Sequence, residues 1–464
     1  VPIYSVEARK VWHDAEFLWG DWQKHLVHPA QVSPFHVRCV NSHHLGYLPS
    51  LAKQAQKKTV NPFEVDPLYL MFDPQMKRLP IQPTHGWSGP NWGGVARQIA
   101  LYDNPVLPDD HFPPELTWAR DQLIDMLDYY GVESRVIKRE EIVWNYTASS
   151  GLGYTQQYGI KRSSLVLAAP ELQDFWETAH VVNADPLCSV FEKLEYLPNA
   201  NFDIGKNRSI INLPITLLEY QLRLNQYFNK RFIDASAHEG CPIGLGSTFQ
   251  YGGYNAIYEK LTENAAMYWK GDITRQDKFY QPYLRDLVLS VRLALFNDTQ
   301  AMPRAEYEIR MRWLYSRLKS AAVVLPWGQV VRLVVGLLSG EGNTSTDQTM
   351  GHLLVILGYL KKELESHGKV VDSWRDIFLD GIRHSPAGKR DHRNILMAKV
   401  YADDHVAKTP AGLEFLTDYK LRSEFYRACG WSLKEDEDLV TPNPEELRFL
   451  GALPERRMDL WNVR

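Results

Sequence analysis

The segment NILMAKVYADDHVAK, residues 394–408, limits the fold more than any other part of the chain. An apolar run fit for a buried strand is interrupted by Asp403 and Asp404, then turns apolar again at His405-Val406-Ala407. Two strand-like runs around a small-residue turn predict a β-hairpin with both acids at its tip. Adjacent acids in a turn are ordinarily just solvated. Like charges held a few ångströms apart repel, and burial makes the repulsion worse. A second acid makes the pair more informative. In YWKGDITRQDKF, Asp272 ends an aromatic strand and Asp277 follows five positions later. Alone, Asp272 reads as a strand-end or helix-capping residue. Set beside Asp403, it completes what two divalent ions about 3.5–4 Å apart require for phosphoryl transfer.

Composition removes several classes. The chain has 464 residues, 44% hydrophobic and 23% charged, an ordinary globular balance. That length predicts two or three subdomains. A net charge of −4 excludes a basic coat for nucleic acid and confines any nucleic-acid path to a local groove. Cys39, Cys188, Cys241 and Cys429 lie far apart without CxxC spacing, so neither a disulfide framework nor a zinc site is expected, and a reducing compartment fits. His43 and His44 have no matching ligand set nearby. The most apolar stretch, AAVVLPWGQVVRLVVGLLSG, is interrupted by Pro326, Gln329 and Arg332, short of the roughly 20 residues a spanning helix needs. No signal peptide is recognised, and a start at Val1 fits a product cut from a longer precursor.

Periodicity and punctuation outline the elements. PPELTWARDQLIDMLDYYG reads as a helix with proline at its start and glycine at its stop. LLEYQLRLNQYFNKRFIDAS is helical by apolar spacing, as are 278–297, 303–322, 349–366 and GLEFLTDYKLRSEFYRACG. NYTASSGLGYTQQYG reads as a glycine- and hydroxyl-rich loop. Strands and helices interleave without the regular alternation of a doubly wound sheet, which gives an α+β class.

Two further segments carry candidate chemistry. In LLSGEGNTSTDQT, residues 337–349, Gly340 and Gly342 permit close backbone approach, and Ser339, Thr344, Ser345 and Thr346 supply hydroxyls. A simple helix cap is the plainer account of such a cluster. In GKNRSI, Lys206 and Arg208 alternate on a strand entry, either to meet a triphosphate or as ordinary surface charges.

The order of these pieces resembles the RNA-dependent RNA polymerases of positive-strand RNA viruses, in the potyvirus and astrovirus branch of the picornavirus-like supergroup. GKNRSI looks like motif F, DITRQD like A, SGEGNTSTDQ like B, YADD like C and NYTASSGLG (145–153) like G. FYRACGWSLKEDEDL and EELRFLG look like D and E, and GLGSTFQYGGYNAIYEKL resembles a stretch of that branch. Sixty-seven residues separate Asp272 from Ser339 and sixty-four separate Ser339 from Asp403, spacings similar to the family's. The resemblance covers roughly residues 145–455, and the first 115 residues match nothing in it.

The resemblance implies a right-hand polymerase of fingers and palm, an antiparallel palm sheet backed by helices, with a short or missing thumb. The implied organisation is an N-terminal region and fingertips over 1–144 and fingers over 145–266. Motif A of the palm then occupies 267–278, a fingers insertion 279–335, the remaining palm 336–440, and a motif E hairpin and end 441–464. It implies Asp272 and Asp403 as ligands of two Mg²⁺ ions, with Mn²⁺ as a substitute, and Asp404 as an outer ligand. Lys434 would be a proton donor to pyrophosphate, although a solvated loop lysine explains it equally. Lys206 and Arg208 would clamp the triphosphate. Asp277, Ser339, Thr344 and Gln348 would read the ribose. Thr147, Ser149, Ser150, Gly151 and Gly340 would meet template RNA. Implied partners are template and nascent RNA, ribonucleoside triphosphates, a protein primer and other replication proteins, at membranes of the host cytoplasm.

Three features depart from the family pattern: Ala402 stands where most relatives have glycine, Gln348 stands where they have asparagine, and the helical thumb that follows motif D in relatives is here missing, very short or supplied elsewhere. Alanine is small enough to keep the turn, and glutamine keeps the amide. Two rivals share these residues: another palm polymerase such as a reverse transcriptase, and an inactive polymerase fold serving as an RNA-binding scaffold.

Overall fold

The computed structural model describes residues 20–27, 37–51, 85–87, 92–193, 196–198, 208–238, 240–247, 253–298, 302–383, 385, 388–390, 392–450, 454–457 and 460–463. Lys206 lies outside them. In chain order its main elements are β1 (His43–Tyr47), α1 (Trp92–Ala100), α2 (Glu115–Tyr129), β2 (Leu187–Glu192), β3 (Ser209–Asn212), α3 (Ile215–Ala235), β4 (Met267–Asp272), α4 (Pro282–Ala294), α5 (Arg304–Lys319), β5 (Ala321–Val324), β6 (Gln329–Leu333), α6 (Thr344–Ser366), β7 (Met397–Tyr401), β8 (Asp404–Thr409), α7 (Tyr419–Ala428) and β9 (Leu439–Thr441).

Two sheets organise the molecule. The four-stranded sheet runs β9-β4-β8-β7 and is antiparallel throughout. The five-stranded sheet runs β1-β6-β5-β2-β3, with β2 and β5 parallel and the other neighbours antiparallel. β1 from the N-terminal region thus pairs with β6, far along the chain. Helix α6 packs on α2, α4 and β7 behind the four-stranded sheet. Its run Met350–Leu360 is buried all round, as a helix sandwiched between layers must be. The α+β class is therefore observed.

Local chemistry sets the helix bounds, and in several places corrects the sequence reading. α2 follows Pro113-Pro114, and Gly131 takes φ +69 just beyond it. The helix expected over 278–297 starts at Pro282, whose fixed φ and missing N–H suit a first turn. The segment 412–429 is not one helix. A short 3-10 turn over Glu414–Thr417 ends at Asp418, whose carboxylate accepts from the N–H groups of Lys420 and Leu421 and starts α7 afresh. Conversely, the helix expected from 349 begins at Thr344, so Thr344, Ser345 and Thr346 lie within its first turn and Ser339 in the loop before it.

Candidate active site

The four-stranded sheet brings the acids together. Asp404, first residue of β8, lies directly opposite Asp272, last residue of β4, and the Asp403 carbonyl accepts from Ile273 N–H at 3.1 Å. The hairpin tip is strained: Ala402 has φ +49, the left-handed region that costs a residue with a Cβ about 1–2 kcal/mol. Helix α6 holds it there. Ala402 N–H donates to Thr349 Oγ1 at 3.0 Å, and His352 Nδ1–H donates to the Ala402 carbonyl at 2.6 Å. That fixes the imidazole tautomer, so its Nε2 accepts from Tyr426 OH at 2.9 Å. Burial holds the His352 pKa down to about 4, which keeps the ring neutral. Alanine thus occupies the glycine position because the surrounding bonds over-determine the turn.

Burial dominates the electrostatics of the carboxylates. It pushes Asp272 up to about 7, against the hydrogen bond from Lys434 and with the Asp403 charge adding to the rise. It raises Asp404 to about 6, opposed by the Leu450 N–H that donates to its Oδ2 at 2.7 Å. Asp403 is raised as well, chiefly by burial; Lys434 and Arg208 oppose this and Asp277 adds to it. The charges of Arg208, Asp277 and Lys434 thus all act on Asp403. Lys434 Nζ bonds Asp272 Oδ2 at 2.9 Å and Glu437 Oε1 at 3.0 Å, and its backbone N–H bonds the Asp272 carbonyl. Asp272 Oδ1 is desolvated and has no hydrogen-bond partner among the described residues.

That orphaned oxygen bears on metal binding. Among the described residues no three His, Cys, Asp or Glu side chains converge as a ready-made cage. Mg²⁺ does not need one, since it takes one or two carboxylates and completes its shell with water and phosphate. Hard oxygens, one of them desolvated and unpaired, fit such an ion. His43 and His44 form no metal cluster in β1.

The remaining expected residues divide. Arg208 is exposed at the entry to β3. Ser339 Oγ accepts from Ile211 N–H at 3.0 Å and donates to the Ser209 carbonyl at 3.2 Å, tying the 337–344 loop to β3. A Cβ on Gly340 would stand 2.2 Å from the Ile211 carbonyl oxygen, so glycine is required there by the same close approach. Thr344 Oγ1 turns back to the carbonyls of Leu338 and Glu341 and closes the loop. Asp277 and Gln348 make no hydrogen bond with each other among the described residues. The Asp277 carboxylate pairs with Lys278 Nζ at 2.7 Å, while the Gln348 carbonyl accepts from Gln276.

In the 145–151 loop, Thr147 is exposed, and Ser149 Oγ meets Thr155 Oγ1, Gly151 N–H and Asn212 Nδ2. Ser150 differs from expectation. It is fully buried, its hydroxyl accepting from Ser164 and donating to Gly159, because it stitches the loop to the helix over 161–167. Gly151, at φ +84, would place a Cβ 2.3 Å from the Leu213 carbonyl.

Sequence reasoning missed the buried support beneath the loop. Glu341 Oε1 accepts from Arg285 Nη2 at 2.7 Å and from Leu338 N–H at 2.8 Å, and the same Nη2 donates to the Gly336 carbonyl. Asp347 Oδ1 accepts twice from Arg292, at 2.7 and 3.2 Å, and its Oδ2 accepts from Tyr315 OH at 2.9 Å. The arginines stand seven residues apart on α4, two turns along one face. Charged residues in a helix otherwise lined by buried leucines and valines were the available signal.

Comparison with known proteins agrees with this geometry. The family model for viral RNA-dependent RNA polymerase matches residues 121–464. The chain belongs to that family. Its fold is of the palm type, with mixed α/β content and an antiparallel four-stranded sheet backed by helices. The chain is 29% identical over 192 residues to the genome polyprotein of Plum pox potyvirus (isolate NAT), covering 41% of this chain and 6% of that one. It is 25% identical over 270 residues to the genome polyprotein of Turnip mosaic virus (strain Quebec), 58% of this chain and 7% of the relative. It is 27% identical over 182 residues to that of Bean yellow mosaic virus, 39% and 6%. The chain thus spans less than a tenth of the length of these relatives. Among the described residues no helix is long and apolar enough to cross a membrane.

Proposed function

We propose that the chain extends an RNA 3′ end on an RNA template, adding ribonucleoside monophosphates from triphosphates and releasing pyrophosphate. One observation carries this: Asp272 and Asp404 face each other in register at the end of the sheet, and a desolvated Asp272 oxygen has no hydrogen-bond partner among the described residues. Asp272 and Asp403 would hold two Mg²⁺ ions, for which Mn²⁺ substitutes, with Asp404 outside them. When bound, such ions activate the attacking hydroxyl and neutralise the leaving phosphate oxygen.

The chain's own groups do the rest. Arg208 meets the triphosphate with charge-assisted hydrogen bonds, and Lys206 joins it in this proposal. The ribose lies between Asp277 and the start of α6, where Ser339, Thr344 and Gln348 frame it. Lys434 is positioned between Asp272 and Glu437, and hydrogen bonds to both raise its pKa against the lowering effect of burial. It therefore reaches the reaction charged and able to give a proton to the leaving group. The exposed hydroxyl of Thr147 and the Ser149 edge line the template's approach, and the five-stranded sheet forms the fingers. Other replication proteins, a protein primer among them, would supply initiation and attachment to membranes in the host cytoplasm.

The test is extension of an RNA primer on an RNA template with Mg²⁺, comparing the wild type with Asp403→Asn. Template-dependent incorporation that the substitution removes supports the proposal. Extension that survives Asp403→Asn, or that needs no divalent ion, overturns the metal assignment. Preference for deoxyribonucleotides would instead indicate a reverse transcriptase.

A further inference from the structure

Residues before 121 lie outside the family match, yet one of them reaches the site. Tyr102 follows α1 and is buried beneath the junction of the 272–280 and 336–344 segments. Its hydroxyl accepts from Lys278 Nζ at 2.7 Å and donates to the Leu337 carbonyl at 3.1 Å. Lys278 Nζ also bonds Asp277 Oδ2 at 2.7 Å and lies 4.2 Å from the Tyr102 ring centroid. The backbone closes the circuit, because Leu337 N–H donates to the Asp277 carbonyl at 2.7 Å. Asp277 is thus tied to Leu337 twice, once through its main chain and once through Lys278 and Tyr102. Leu337 stands two residues before Ser339.

The fit around this circuit is close. Gly336 takes φ +102, and a Cβ there would stand 2.5 Å from Tyr102 Cδ1, so the ring lies flush under the backbone. Asn104 donates to the Lys278 carbonyl at 3.1 Å, and Gln281 Oε1 accepts from Leu107 N–H at 3.1 Å. The segment after α1 therefore grips 277–281 along its length. Exposure points one way: the Lys278 side chain is 8% exposed and that of Asp277 29%. The lysine works from behind, and the carboxylate edge remains accessible.

We propose that Tyr102 and Lys278 are positioning residues for ribose selection, fixing Asp277 relative to the loop that begins at Leu337. This rests on the reading of Asp277 as the group that meets the ribose hydroxyls. A site that discriminates by hydrogen-bonding a hydroxyl loses selectivity when its acceptor is free to turn. Lys278 prevents that rotation, and the Tyr102 hydroxyl prevents Lys278 from following the carboxylate outward. The hydroxyl has one proton, and giving it to Leu337 leaves its lone pairs for the ammonium.

The experiment compares kcat/KM for a ribonucleotide and its 2′-deoxy analogue in primer extension, with melting temperature measured alongside. Tyr102→Phe removes one oxygen and keeps the packed ring. Lys278→Met removes the ammonium, and Lys278→Arg restores a donor. Loss of a hydrogen bond to a charged group corresponds to about tenfold or more. The ribo/deoxy ratio should fall about tenfold in Tyr102→Phe and Lys278→Met and recover in part in Lys278→Arg, with the melting temperature of Tyr102→Phe nearly unchanged. Asp277→Ala is the reference. If it relaxes the ratio while Tyr102→Phe does not, the pair is only structural and this inference fails. If Asp277→Ala leaves the ratio untouched, the ribose reading itself fails, and the inference with it. Should Lys278→Met not fold, the Tyr102→Phe ratio decides alone.

Discussion

Among the regions of this molecule that desolvate carboxylates, two treat them differently. Under the 337–347 loop, Glu341 and Asp347 each meet an arginine whose side chain is no more than 1% exposed. At the hairpin tip, Asp403 and Asp404 are also desolvated, but among the described residues they form no ion pair with a buried arginine; Asp272 has Lys434, whose side chain is 30% exposed and shared with Glu437. Burying a charge is costly unless it is paired. The first region meets most of that cost through the two arginines, although Glu341 Oε2 too is buried without a hydrogen-bond partner among the described residues. The second has only the partly exposed, shared Lys434, and Asp272 Oδ1 has no hydrogen-bond partner among the described residues, which leaves room for the proposed metal ions. The two regions differ in the partner, a buried arginine in one and a partly exposed lysine in the other.

That contrast can be broken by exchanging each acid for its amide. Asp403→Asn should give the largest effect on activity, a loss of about a thousandfold or more, since bound metal supplies several kcal/mol of charge stabilisation. Its melting temperature near pH 7 should hold or rise, because an amide carries no charge to desolvate. Asp347→Asn should do the reverse to the fold. It strands Arg292, and breaking a buried pair costs about 3–5 kcal/mol, readable by urea titration. Equal destabilisation by the two amides would abolish the distinction between the regions.

Smaller effects sharpen it. Arg208 is exposed, and its charge acts on Asp403. Arg208→Ala should lower kcat/KM by roughly 2–4 kcal/mol of transition-state stabilisation with little change in melting temperature. A fall in melting temperature alone would assign it to the fold. The smallest effect concerns pH. The Asp272 carboxyl titrates at about 7 when folded, against an ordinary value of 3.8. The folded state therefore holds that proton more firmly, and the resulting stability is full below 3.8 and lost as pH rises through 7. His352 acts oppositely, its folded value near 4 lying below the ordinary 6.5, so its contribution is lost as pH falls through that window. Asp272→Asn removes the first term and leaves the second. Stability of the metal-free variant should then rise more steeply with pH between about 4 and 7 than that of the wild type. An unchanged slope would show that the Asp272 proton is not linked to folding.

Much of this was written in the sequence, because local patterns carry local preferences. The hairpin at Asp403-Asp404 followed from two apolar runs around a small-residue turn, and the strand ending at Asp272 from its aromatic lead-in. Proline marked the start of α2, glycine marked its stop, and the spacing of the four segments carried the family. The sequence alone did not separate working acids from supporting ones. Glu341 and Asp347 stand among the hydroxyls of the loop and look like its chemistry, yet their arginines lie 56 and 55 residues away on another helix. Ser150 looked like a template contact until its hydroxyl proved to be buried against Ser164. Tyr102 carried no signal at all. The reason is the same each time: backbone preference is set by neighbours along the chain, whereas the neutralisation of a charge, the direction of a hydroxyl and the support behind a carboxylate depend on groups that only tertiary packing brings within 3 Å.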